Sequence, residues 1–323
     1  MELEFAFVGC GGMGRTRHIP ALVACENARL LAVCDRIKER ADAAGAEFGV
    51  PAYYDVDTMI ASEKPDVCPV ITLENDRLEP ILKVVGAGCH TFTEKPLFAA
   101  KGQMRVEPTD VPVGEQMVNA AKEHGVFFGM GFNYRFLDHV KLMKEAIETG
   151  ELGTLVYVHV CAHLACWSHV LDLTRYFVGE VDELSAKEGG PAEAPDRVVC
   201  LKFANGAVGT IIGTSRRGWH RPLFSIEING EAAGARIEDL AGAFVLERND
   251  TKETRRIGTI PLHARDNFDL SFERHMRAFV DAIAAGNKPP VTGMDGLREL
   301  QLEAAIVESA ASGKTIRPYA SAS

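Results

Sequence analysis

The feature that most constrains the fold of this chain lies near its start, where an apolar run, Leu3 to Val8, passes directly into Gly9-Cys10-Gly11-Gly12-Met13-Gly14. A G-x-G-x-x-G turn between strand and helix suits a dinucleotide. The first glycine makes the tight turn, the second lets backbone approach a pyrophosphate, and the third lets helix pack on strand. Helix N–H groups then face the phosphates. Glycine clusters also mark ordinary turns, so context decides. Here a helical stretch, Ile19 to Cys25, follows, and a second apolar run, Leu30 to Cys34, ends at Asp35, at the spacing where an acid meets a ribose 2′-hydroxyl. Asp35 favours NAD, because its carboxylate accepts from ribose hydroxyls and repels a 2′-phosphate. Arg36 and Lys38 beside it keep NADP open.

From residue 1 to about 131, short apolar strands (3–8, 29–34, 66–71, 89–93 and 126–131) alternate with helical stretches, the pattern of βαβ units and a parallel sheet. A helix is expected from Val113 to His124, with Val113, Met117, Ala120 and Ala121 on one face. Lys101 to Pro112, with two prolines and mixed charge, reads as an irregular loop. After Gly150 the character changes. Thr154 to Ala162, Arg197 to Phe203, Ala207 to Ser215, Leu223 to Asn229 and Ala243 to Arg248 read as strands, and Asn205-Gly206 is a hairpin signal. The second half is therefore expected to hold a mostly antiparallel sheet. In Arg197 to Phe203 both alternating sets of positions are apolar, so both faces are expected to be covered, one by another subunit. Leu270 to Ala285 and Leu297 to Ala311 read as amphipathic helices with core-facing stripes, and the tail Pro318 to Ser323 as frayed. The expected fold class is α/β, with a dinucleotide-binding domain at 1–131 and an α+β domain at 132–323.

With 323 residues and 46% hydrophobic content, the chain is long enough for two full cores. A formal charge of −10 without a long basic run argues against a nucleic-acid surface. No apolar stretch reaches membrane-spanning length, and no secretory signal is expected from the residues before the first strand. Eight cysteines stand singly, without a C-x-x-C pair, which fits reduced thiols in a cytoplasm.

Glu94-Lys95-Pro96 directly follows an expected strand, at the carboxyl edge where open α/β sheets bind ligands. A fixed ammonium there holds a substrate oxygen and stabilises its alkoxide. On residue types alone, the same pair reads equally as a solvated loop. The order of these motifs, together with Cys34-Asp35-Arg36, Gly131-Phe132-Asn133-Tyr134-Arg135-Phe136, His169-x-x-Asp172 and Ser309 to Gly313, resembles the Gfo/Idh/MocA oxidoreductases (glucose-fructose oxidoreductase, inositol dehydrogenase, rhizopine catabolism) over nearly the whole chain. The resemblance implies a Rossmann domain, then an α+β domain with a large open sheet that serves homo-oligomers, dimers or tetramers. It implies NAD or NADP, and oxidation or reduction of sugars, polyols and related alcohols. It assigns catalysis to Lys95 and His169. From the motifs taken together, cofactor contact is expected at Gly9, Gly11, Gly12, Met13, Gly14, Asp35, Arg36, Thr72, Glu94, Lys95 and Arg135, and substrate contact at Asn133, His163 and Trp167. An imidazole at 169 is apt for moving a proton near neutral pH, and Asp172 reads as a structural partner.

Several positions depart from that family. Ala165 stands where an aspartate is common four residues before the histidine, the segment before His169 is short, and Arg77 takes a common histidine position. The Arg77 departure bears on the details of cofactor contact, while Ala165 and the short segment keep open a second reading, a non-catalytic NAD(P)-binding sensor of the same fold. His159, Cys161 and His163 alternate on one strand face with Cys166 and His169 following, which brings zinc to mind. Strand-face His and Cys are more often packed residues, and no metal is assigned. Trp219-His220, with Arg216 and Arg217, is a possible wall or anion contact, or a solvated loop.

Overall fold

The computed structural model describes residues 2–191, 195–216, 218, 221–258 and 264–319. The chain divides into two compact units. The first comprises residues up to Arg105, Thr109–Phe132 and Phe272–Leu300; the second comprises Val106–Pro108, Asn133–Ser271 and the residues from Gln301 on. A single division at 131/132 does not contain the returning segment Phe272–Leu300.

In the first unit the strands β1 (Leu3–Val8), β2 (Ala28–Cys34), β3 (Ala52–Tyr53), β4 (Val67–Val70), β5 (His90–Thr93) and β6 (Phe128–Met130) form one sheet, in the order β3-β2-β1-β4-β5-β6. Every pairing in it is parallel. The reason is visible in β1 and β4, which are apolar on both faces and buried almost throughout, as strands covered by helices must be. Helices α1 (Ile19–Val23), α2 (Lys38–Phe48), α3 (Val56–Glu63), α4 (Leu78–Gly86) and α5 (Val111–Glu123) connect them. Pro112 falls in the first turn of α5, where its missing N–H costs nothing, so the helix starts inside the stretch expected to be irregular. The strand order brings the carboxyl ends of β2, β1, β4 and β5 side by side.

The second unit is built on an eight-stranded sheet. Its strands are β7 (Leu155–His163), β8 (Val181–Gly189), β9 (Asp196–Phe203), β10 (Val208–Thr214), β11 (Phe224–Gly230), β12 (Ala233–Glu238), β13 (Phe244–Arg248) and β14 (Thr254–Ile257), in the order β14-β13-β12-β11-β7-β10-β9-β8. Only β7 and β10 run parallel. One face carries Val158, Val160, Val199, Leu201, Ile211, Ile226 and Ile228 into a core with α6 (Asp138–Glu148) and α7 (Trp167–Val178). The expectation that both faces are covered does not hold within the chain. Tyr157, Val198, Val208 and Ile212 stand on the opposite face and are exposed. Strands β8, β12 and β14 were not expected from the sequence. In β8 a bulge between Val181 and Glu183 breaks the alternation of buried positions, and β14 is a fully exposed, charged edge. Helices α8 (Ala264–Ala284) and α9 (Gly293–Ser312) close the chain, with Met276, Phe279, Val280, Leu297 and Leu300 buried as the stripes predict. Among the described residues, no helix is long and apolar enough to cross a membrane. Of the tail expected to fray, residues 320–323 lie outside the described residues.

His139, on α6, is fully buried with its ring centroid 6.3 Å from that of Phe224. Burial pushes its imidazole down from the usual 6.5 to about 4, against the opposing pull of Asp239 and Asp138. The folded chain therefore holds this ring neutral where the unfolded chain takes up a proton. The stabilisation is fully present above pH 6.5 and lost as pH falls toward about 4. Urea unfolding is expected to show stability falling by about 2 kcal/mol from this group between pH ~7 and ~5. A His139→Leu variant should lack that component; an unchanged pH slope in it would contradict the assignment.

Candidate active site

The glycine loop follows β1. Gly9 has φ +98°, and a methyl group on it would collide with the Ile71 carbonyl; one on Gly14 would collide with the Gly9 carbonyl. These two glycines are thus required by packing. At Gly11 and Gly12 an added Cβ would meet nothing within 4 Å, so the loop presents bare backbone to open space. Met13 beside them is exposed. Residues 12–23 form one helical run, with a wider π turn over Gly14–His18, and its first N–H groups precede any intrahelical acceptor. Asp35, at the end of β2, is buried and accepts from the backbone N–H of Cys10 (2.9 Å) and of Ile37 (2.8 Å), which ties the loop to the neighbouring strand. Each carboxylate oxygen retains a second acceptor site for a ribose hydroxyl. The loop, the helix start and Asp35 fit the diphosphate and ribose of a dinucleotide. Burial, with Asp35 adding to it, pushes the Cys10 thiol up to about 12, so it stays protonated. Arg36 pairs with Asp76 at 2.8 Å on the surface.

The next two strand ends are joined by Arg77. Its guanidinium is fully buried and donates to the carbonyls of Thr72 (3.0 Å), Leu73 (3.4 Å), Pro96 (2.6 Å) and Glu94. Burial pushes it down to about 10, opposed by Glu94 and Glu74. It remains charged at neutral pH. A residue expected only to perturb cofactor contact is therefore the clamp that holds the end of β4 to the turn after β5. The signal was present: Arg77, Ile81, Val84 and Val85 fall at i, i+4, i+7 and i+8 on the buried stripe of α4. Thr72 directs its hydroxyl to the Asp76 carbonyl (3.3 Å).

Glu94 is buried. One oxygen lies 2.6 Å from His18 Nε2 and the other accepts from the Lys95 backbone N–H at 3.0 Å. His18 reaches this position from the π turn, its ring packed against Phe92 and Phe272. Lys95 is half-buried, and its ammonium donates to Gln103 Oε1 at 3.0 Å. The Lys95–Pro96 bond is cis.

In the second unit, His169 sits in the first turn of α7, its ring stacked on Tyr134 at 3.7 Å between centroids and 5° between planes. The Tyr134 hydroxyl lies 3.3 Å from Cys166 Sγ, and burial pushes its pKa up, which keeps it protonated. His163 Nδ1 accepts from the Ala165 N–H at 3.1 Å, so the imidazole caps the short turn Leu164–Cys166. Three residues expected at ligands, Trp167, Arg135 and Asn133, are buried and partnered within the fold. Trp167 is buried against Gly213 with the Arg197 guanidinium 5.6 Å from its ring; Arg135 makes a bidentate pair with the fully buried Asp172 (2.8 and 2.5 Å); and Asn133 donates to Ser271 Oγ at 2.7 Å. Their polar groups brace the fold around α7. The strand-face His and Cys set also separates: His159 bonds Thr210 (2.7 Å) on the open face with Cys161 beside it, while His163, Cys166 and His169 face inward. Among the described residues, no three His, Cys, Asp or Glu side chains are arranged to hold a metal ion. Trp219, His220 and Arg217 lie outside the described residues.

A Rossmann unit with an open glycine cradle, followed by a unit built on a large open sheet, defines a dinucleotide-dependent oxidoreductase of two parts. Residues 3–132 match the NAD-binding Rossmann domain, and residues 162–317 the C-terminal alpha/beta domain, of the Gfo/Idh/MocA oxidoreductases. The chain belongs to that family. It is 26% identical to the myo-inositol 2-dehydrogenase of Thermotoga maritima, over 96% of this chain and 98% of that one. It is 24% identical to the D-apiose dehydrogenase of Paraburkholderia graminis, over 96% and 88%. Its fold matches an oxidoreductase from Agrobacterium radiobacter solved with NAD+, L-tartaric acid and magnesium, with a TM-score of 0.85 at 18% identity, over 98% and 99% of the two chains.

Replacing Arg77 with Lys leaves carbonyls without donors in the interior, at about 1–3 kcal/mol each. Denaturant unfolding should show a loss of about 2–4 kcal/mol. A loss below about 0.5 kcal/mol, the scale of a surface change, would contradict the clamp.

Proposed function

We propose that the protein is an NAD-dependent dehydrogenase acting on a carbinol carbon of a sugar, polyol or related small molecule. The observation that carries this reading is the row of residues following the carboxyl ends of four adjacent strands: Asp35 after β2, Gly9 to Gly14 after β1, Thr72 after β4 and Lys95 after β5. Ligands of open α/β sheets bind along that edge. Bound there, NAD supplies the acceptor for the hydride that leaves the substrate carbon. Asp35 accepts from the ribose hydroxyls, and Arg36, already paired with Asp76, is drawn away from a 2′-phosphate, which favours NAD over NADP.

The chain's own residues then manage charge and protons. Lys95 donates a hydrogen bond to the substrate oxygen and stabilises it as its negative charge grows. His18 and Glu94 fix the backbone from which it projects. In the second unit His169, its ring plane set by Tyr134, takes the hydroxyl proton and returns it in the reverse direction. The open sheet face of the second unit, with Tyr157, Val198, Val208 and Ile212 exposed, is the surface we assign to a second copy of the chain, in a dimer or tetramer; a monomer in sedimentation would remove that assignment. Eight free cysteines suit a cytoplasmic location. A sensor of the same fold, the reading that Ala165 and the short segment before His169 motivate, needs neither Lys95 nor His169 for catalysis, and their presence favours the enzyme.

The test is absorbance of NADH formed from NAD+ with a panel of inositols and sugars. The wild-type protein should turn over at least one member, and Lys95→Met should lower its kcat by about 10²–10³-fold while NADH affinity by fluorescence titration changes little. Full activity in Lys95→Met would remove lysine from the mechanism. Tight NADH binding with no turnover of any panel member would favour the sensor.

A further inference from the structure

Gln103 lies in a segment to which the dehydrogenase reading gives no task, yet the fold delivers its side chain to Lys95. The path is built from turns. Gly102 N–H donates to the Ala99 carbonyl (3.2 Å), Arg105 N–H donates to the Gly102 carbonyl (2.8 Å), and Gly102 itself has φ +97°, where a side chain would be strained. The backbone N–H of Gln103 donates to Glu74 Oε1 at 2.7 Å, which anchors the tip of the segment to the stretch between β4 and α4. Its exposed side chain then reaches Lys95, with Oε1 3.0 Å from Nζ.

The chemistry of the two groups sets the direction of the amide. An ammonium only donates, so the amide oxygen must face Lys95 and the NH₂ group must face away from it. Lys95 keeps two further N–H donors after serving Gln103. A substrate oxygen held by one of them lies next to the Gln103 amide, whose NH₂ is a neutral donor suited to a second hydroxyl.

We propose that Gln103 is a specificity-determining residue: its amide NH₂ donates to the hydroxyl on the carbon adjacent to the one being oxidised, so that the enzyme selects vicinal diols, the substrate class of sugars and cyclic polyols. The inference rests on the reading of Lys95 as the group at the reacting oxygen. A neutral amide in this position also disfavours substrates with a carboxylate at the adjacent carbon, for which a guanidinium would be the matching donor.

The test compares kcat/KM for D-glucose with that for 2-deoxy-D-glucose, and for myo-inositol with that for its deoxy derivative, in the wild type, Gln103→Leu and Gln103→Glu. Gln103→Leu removes both functions of the amide. Gln103→Glu keeps an acceptor for Lys95 but has no NH₂ donor, so it separates holding the lysine from binding the substrate. Both variants are expected to lower the preference for the hydroxyl-bearing member of the pair by about 10- to 100-fold, the scale of one lost hydrogen bond to a bound hydroxyl. A preference preserved in Gln103→Glu, or activity on both members of a pair falling in equal proportion, would overturn the proposal, because a merely structural role lowers both alike. If Lys95→Met is inactive on the same pairs while the Gln103 variants keep the wild-type preference, the dehydrogenase reading stands and this inference falls. If the wild type binds NADH yet turns over no member of the inositol and sugar panel, the dehydrogenase reading falls, and this inference with it. NADH titration of each variant serves as the measure that the first unit remains folded.

Discussion

A single buried cation organises the edge of the first sheet. The Arg77 guanidinium reaches four backbone carbonyls from two neighbouring strand ends, Thr72 and Leu73 on one side and Glu94 and Pro96 on the other. Desolvating an arginine is costly unless its donors are satisfied, and here carbonyl dipoles and the nearby Glu94 and Glu74 carboxylates meet that demand. Such a group leaves the turn after β5 little freedom. Glu94 is held further by His18 from the helix that follows the glycine loop. The glycine loop, the β4 end and the Lys95 turn are therefore coupled, and a change in any one is felt by the other two.

The same economy operates in the second unit with different chemistry. Arg135 and Asp172 form a bidentate pair in the interior, Arg135 also lies 4.6 Å from the Tyr176 ring, and Tyr134 stacks on His169. The polar residues that surround His169 brace the helix carrying it. The turn at Ala165 is supported by His163, whose Nδ1 accepts from the Ala165 N–H. Planar groups fix the orientation of an imidazole by packing.

Much of this was legible in the sequence. The glycine spacing, Asp35, the alternation of strands and helices, and Asn205-Gly206 each reflect a local requirement of the backbone, and local requirements can be read locally. The elements that escaped are those whose pattern is broken or whose partners are distant. Strand β8 hides behind a bulge that shifts its buried positions from Val181 to Leu184, and β14 has no buried residue at all. The interior partners of Trp167, Arg135 and Asn133, namely Gly213, Asp172 and Ser271, are remote in sequence, so those contacts could not be read from it. Gln103 carries no sequence signal, since its meeting with Lys95 depends on two turns and a bond to Glu74. The apolar residues on both faces of β9 do not by themselves say what covers the second face, because such residues mark an interface as readily as a core.

The central claim is that this chain moves a hydride directly between a carbinol carbon and bound NAD, with Lys95 at the oxygen. The most direct measurement uses a polyol substrate carrying deuterium on the carbon that is oxidised, with the NADH formed analysed by mass spectrometry. The account predicts one deuterium in the nicotinamide ring of every NADH produced. NADH without deuterium, or label lost to water, would contradict it.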